Sequence, residues 1–137
     1  MADNIKLEVV TPEKDVVKED AQIVMAPGSL GEFGVLVGHT PFMTTLKTGT
    51  VKYTDGAGKE RFVFVSGGFA EALPEKVTIL AESAERRSEI DVERAKAAMQ
   101  RAQERIDQSA KDEAVDFTRA KAALTRAISR LNIAQGN

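Results

Sequence analysis

The chain has no cysteine, only one histidine, and no proline or glycine between Pro74 and Gly136. Each scarcity excludes something. Without cysteine there are no disulfides and no thiolate metal sites, which agrees with a reducing cytoplasm. A lone His39 rules out a His-rich metal centre and argues against a histidine-based nucleophile triad. No apolar run approaches the roughly 20 residues that span a bilayer. The start, Met1–Lys6, lacks the apolar core of a signal peptide. The long stretch free of Pro and Gly contains nothing to stop a helix.

What is present is split along the chain. Nine of the ten Gly, all four Pro and six of the seven aromatics lie at or before Pro74, whereas eight of the nine Arg lie from Arg86 onward. Residues 1–84 carry 8 basic and 12 acidic groups, a net −4, and residues 85–137 carry 11 and 9, a net +2. Neither value suits a nucleic-acid-binding face, which is strongly basic with interleaved aromatics. The second segment does offer many guanidiniums to anions or acidic partners.

Up to residue 84 the apolar period is two. Ile5–Val9 alternates as a half-buried strand does, and Val16-Val17, Ile23–Met25, Phe33–Val37, Thr50–Thr54, Arg61–Val65, Phe69–Leu73 and Val77–Leu80 read as further strands. Asp55-Gly-Ala-Gly58 makes a hairpin loop between two of them. From residue 85 the period becomes 3.6. Val92, Ala95, Ala98 or Met99, Ala102 and Ile106 form one helical stripe; Phe117, Ala120, Leu124, Ala127, Leu131 and Ala134 form another. Asp107–Asp112 is a polar turn between them, and Ser88 or Asp91 offers the first N-cap. The fold class is therefore α+β. An N-terminal antiparallel β-sandwich or flattened barrel (1–84) precedes a C-terminal antiparallel two-helix hairpin (85–137). A two-helix hairpin has too little core to stand alone. It rests either on the sandwich, as a fixed lid, or on another protein.

Gly31-Glu-Phe-Gly-Val-Leu-Val-Gly-His-Thr-Pro41 is dense in glycine but is no phosphate loop, because neither Gly-Lys-Ser/Thr nor a helix follows. On local grounds its glycines serve turns and a bulge, and His39 braces a loop. No paired carboxylates stand ready for acid–base chemistry, which argues against a small β-sandwich hydrolase. Taken in order with Leu46-Lys-Thr-Gly49, Val65-Ser-Gly-Gly-Phe-Ala-Glu71 and Val77–Ala81, however, this segment closely resembles the epsilon-subunit family of bacterial F-type ATP synthases. The resemblance covers essentially the whole chain. Val37 departs from it, since the family usually has Pro before Gly-His.

The resemblance implies a non-catalytic central-stalk subunit. It would act at the cytoplasmic face of the bacterial plasma (inner) membrane, held peripherally through the complex. It implies a sandwich that binds the gamma subunit and the c-subunit ring, with Glu32 and His39 on the ring-facing loop. It implies a mobile hairpin that restrains ATP hydrolysis when extended into the catalytic alpha/beta head. Ile90-Asp91-Val-Glu-Arg94-Ala95 also matches the element with which some members bind ATP. Glu85, Arg126 and Arg130 match that site's other members. Chemically, Arg126 and Arg130 are i,i+4 and share a helix face. Arg forks suit phosphate oxygens, and Asp or Glu can accept from an adenine amine or ribose hydroxyls. ATP would be a regulatory ligand; no cofactor or metal is required. The same residues would equally make a solvated, salt-bridged helix face. A free-standing ATP sensor serving another client is the alternative function.

Overall fold

Alternation of apolar and polar residues is realised strand by strand in the computed structural model, which describes residues 4–136. Among the described residues nine strands form: β1 Ile5–Val10, β2 Asp15–Gly28, β3 Gly31–Leu36, β4 Phe42–Thr45, β5 Gly49–Asp55, β6 Glu60–Ser66, β7 Phe69–Leu73, β8 Lys76–Leu80 and β9 Ser83–Arg86. A 3₁₀ turn, Arg87–Glu89, leads to helices α1 Val92–Ser109 and α2 Phe117–Ala134.

The sheet runs β4-β7-β8-β1-β2-β5-β6-β9, with β3 added on β2. β2 is the organising strand. Its first half pairs β1, and its second half pairs β3 and β5. β1 and β3 thus share one edge of β2 in succession, and β5 takes the other. The pairing is antiparallel except for β1 with β8, which is parallel. Inward-facing Ile5, Leu7 and Val9 meet Val24, Val51, Val63, Val77 and Ile79 in one apolar core. This is a β-sandwich, and its sheet is not closed into a barrel.

Two tight places explain glycines of the sequence motifs. Gly68 has φ +98, and a Cβ there would stand 1.9 Å from the Leu80 carbonyl oxygen. A Cβ on Gly28 would stand 2.6 Å from the Gly31 carbonyl oxygen across the β2–β3 turn. Asp55 organises the β5–β6 loop. Its Oδ1 accepts from the Ala57 and Lys59 amides, both at 2.9 Å, and its Oδ2 accepts from Arg61 Nε at 3.0 Å.

The chain divides into two compact units, residues 1–87 and 88–137. β9 carries the sheet past the point where the hydrophobic period changes. The second unit is the pair α1 and α2, which pack on each other. Asp91 caps α1 by accepting from the Arg94 amide at 3.1 Å, and Asp116 caps α2 by accepting from the Arg119 amide at 3.0 Å. Ala95 and Ala102 of α1 are buried, as are Ala120, Ala127, Leu131 and Ile133 of α2. Phe117 departs from the expected seam, because it is 49% exposed. It is the first residue of α2, level with the end of its antiparallel partner.

Candidate functional site

The first candidate lies around β3. Gly28 and Gly31 close the β2–β3 hairpin and leave Leu30 fully exposed at its tip. Glu32 is next along β3, exposed and opposite Pro27. The tip is braced from β4. The Ser29 amide donates to the Thr45 carbonyl at 2.9 Å, and Thr45 Oγ1 donates to Ser29 Oγ at 2.8 Å.

His39 lies beyond the other end of β3, so Glu32 and His39 do not form one cluster. Its Nδ1 is 2.7 Å from the Thr40 carbonyl oxygen, and a carbonyl only accepts, so Nδ1 carries the proton. Nε2 is buried without a partner among the described residues. The imidazole meets the Phe42 ring edge-on at 5.7 Å, and Phe42 meets Phe33 likewise at 5.1 Å. His39 therefore braces a loop against aromatic rings. Beside it Leu36, Val37, Phe42 and Met43 are exposed. Sequence reading singled out neither Leu30 nor Met43, since exposure of an apolar side chain has no local sequence signal.

The second candidate lies in the helical unit. α1 and α2 pack on each other, and one hollow is lined by the end of α1 and the start of α2, so the pair is antiparallel. The start of α1, with Asp91 and Arg94, is thus directed toward the C-terminal half of α2, which carries Arg126 and Arg130. Ile90 and Ala95 are buried, Asp91 and Arg94 exposed, Arg126 and Arg130 half-buried. One oxygen of Asp91 is occupied as the α1 cap. The side chains of Arg94 and Arg126 make no hydrogen bond or ion pair with any described residue, so they are available to an oxyanion. Glu85 is in the sheet unit, on β9 opposite Phe64 of β6. A separate hollow of about 460 Å³ lies at the loop end of the hairpin, lined by Arg105, Gln108, Asp116 and Arg119. None of those four is among the candidate residues. Among the described residues no group of His, Asp and Glu is placed to hold a metal ion. No described helix is long and apolar enough to cross a membrane.

Residues 4–87 match the family model "ATP synthase, Delta/Epsilon chain, beta-sandwich domain", and residues 88–135 match "ATP synthase, Delta/Epsilon chain, long alpha-helix domain". The ATP synthase epsilon chain of Desulforapulum autotrophicum is 70% identical over 106 residues, which cover 77% of this chain and 78% of that one. That of Desulfatibacillum aliphaticivorans is 65% identical over 107 residues, covering 78% and 76%. Among solved structures, a chain of the Euglena gracilis mitochondrial ATP synthase (OSCP, F1 and c-ring) superposes with a TM-score of 0.78. It is 26% identical, with 92% of this chain and 78% of that chain covered. These matches, which span both units, do not favour a free-standing sensor.

Proposed function

The chain belongs to the delta/epsilon-chain family of ATP synthases and is an epsilon-type stalk subunit rather than a catalytic one, and from that premise we propose how its two units divide the work. The sandwich binds the gamma subunit and stands on the c-subunit ring, turning with both as proton flow is coupled to ATP synthesis. The protein is then peripheral to the cytoplasmic face of the bacterial plasma membrane. Leu30 and Glu32, at a tip braced by Thr45, form the contact with the ring.

The helical unit restrains ATP hydrolysis when it reaches into the alpha/beta head. One observation carries this: the chain is two compact units meeting between Arg87 and Ser88, so the helices can move without dismantling the sheet. ATP is the regulatory ligand, held by Glu85, Ile90, Asp91, Arg94, Ala95, Arg126 and Arg130. The unpaired guanidiniums of Arg94 and Arg126 support it, as does the antiparallel closure that Asp91 and Arg126 need to converge. ATP then favours the closed hairpin by its differential affinity. At about 100-fold above its dissociation constant that shift is worth roughly 2.7 kcal/mol.

Calorimetric titration tests the nucleotide site. The wild type should bind ATP, and Arg126→Ala with Arg130→Ala should bind far more weakly. Absence of heat at millimolar ATP, or equal affinity in both proteins, sinks the nucleotide part and leaves the rotor role. That role is tested by cross-linking from Glu32→Cys in the assembled enzyme. Linkage to a c subunit is expected, and linkage only to the catalytic head would reverse the orientation.

A further inference from the structure

Arg86 is the last residue of β9, at the end of the hydrogen-bonded path of strands. β9 shares no ladder with β2, yet Arg86 reaches it. Its Nε donates to the Val16 carbonyl at 2.9 Å, and its Nη2 lies 3.6 Å from the Glu19 carboxylate. Its Nη1 donates to the Tyr53 hydroxyl at 3.4 Å, and that hydroxyl donates to Glu19 at 2.5 Å. One guanidinium thus ties β9 to β2 and β5. Tyr53 is buried, so losing its partners would leave a desolvated hydroxyl unpaired. The next residue is held as well, since the Arg87 guanidinium lies 3.8 Å over the Phe62 ring of β6.

A four-residue edge strand paired on one side only is the kind of element that frays, and here it is also where the chain leaves for the helices. We propose that Arg86 is a positioning residue that anchors the hinge. It keeps β9 from peeling off the sheet, so that motion of the helical unit arises in Ser88–Asp91, between the end of the sheet and the α1 cap. Four residues span at most about 13–14 Å when extended, which bounds how far the base of the hairpin can wander. The regulatory value of this anchor rests on the mobile-hairpin reading above, but the anchor itself does not.

Hydrogen exchange on the full chain tests it. In the wild type, those amides of residues 83–86 that bond to β6 should exchange slowly, and those of 88–91 faster. In Arg86→Ala the 83–86 amides should exchange at least about tenfold faster, equivalent to about 1.4 kcal/mol, with β1 and β8 unchanged. Arg86→Lys should not restore protection, because one ammonium cannot serve Val16, Glu19 and Tyr53 together. It also carries the comparison if the alanine variant does not fold. Slow exchange at 88–91 in the wild type, with β9 still freed by Arg86→Ala, would count against a moving hairpin and leave the anchor standing. Unchanged β9 protection in both variants, or the same loss in β1 and β8, would overturn the anchor.

Discussion

The two units bury different things. The sandwich core is branched aliphatics, Ile5, Leu7, Val9, Val24, Val51, Val63 and Ile79 among them, brought together from strands far apart in sequence. Between the helices the buried residues are mostly alanines: Ala95, Ala102, Ala120 and Ala127. Fully burying a Val, Leu or Ile contributes about 1.5–3 kcal/mol, and a single methyl about 0.8 kcal/mol. The sandwich is therefore built to persist and the helical pair to be marginal, held by its caps and its helix propensity as much as by packing. A marginal element on a persistent base is what a subunit needs if one part must hold its partners while another changes position.

That contrast can be broken from either side. The largest effect belongs to the sandwich. Leu7→Ala or Ile79→Ala should destabilise it by about 2–5 kcal/mol, read as a lowered urea midpoint of the main transition. A cost below about 1 kcal/mol would mean that the core is not where stability resides. Next comes the helical seam. Ala127→Leu adds bulk at a position that is buried in the helical unit and should cost about 1–3 kcal/mol. It should speed amide exchange across α1 and α2 while leaving the sandwich untouched. Unchanged protection in the helices would mean that Ala127 does not lie in a tight seam.

A smaller effect sharpens the comparison by pH. Burial first, and the hydrogen bond to Glu19 next, push the Tyr53 hydroxyl up to about 12, against the opposing pull of Arg86. A group raised in the folded state adds stability that is complete below its unfolded value near 10 and is lost as pH rises toward 12. Between pH 10 and 12 the wild-type sandwich should lose on the order of 2 kcal/mol that Tyr53→Phe does not lose, as followed by denaturant midpoints. Parallel pH profiles would contradict the buried, bonded hydroxyl. The smallest effect is at Asp55. Its carboxyl is held below the ordinary range chiefly by the Lys59 amide and then by Arg61. Its contribution is present above the ordinary carboxylate pKa of about 3.9 and lost as pH falls through the lower folded value. Asp55→Asn should flatten the acid limb of sandwich stability; an unaltered limb would show that the loop bonds contribute little.

How much of this could be read in advance depended on how far apart the interacting residues lie. Strands with clean alternation, such as β1, β5 and β8, were plain, as were both helices; the first cap was left between Ser88 and Asp91, and it is Asp91. β2 reads as two strands because the polar run Lys18–Asp20 interrupts its apolar residues, although the backbone continues through it. β4 was hidden because exposed Phe42 and Met43 give it no alternation. β9, Ser-Ala-Glu-Arg, is too short and too charged to stand out. The parallel pairing of β1 with β8 depends on the long path of the whole sheet, and no local pattern encodes it. The candidate sites follow the same rule. Glu32, Asp91 and Arg126 were singled out through motifs. The Arg86 clamp was not, since its partners Val16 and Tyr53 lie 70 and 33 residues away.

The central claim is that the chain is two units, of which the sheet unit stands alone. Thermal unfolding of a fragment ending at Arg87, followed by circular dichroism, tests it most directly. The fragment should show a β spectrum and one cooperative transition within a few degrees of the main transition of the full chain. A fragment that is unfolded at room temperature, or that melts without cooperativity, would show that the sheet depends on the helices and that the division at Arg87 and Ser88 is not a functional one.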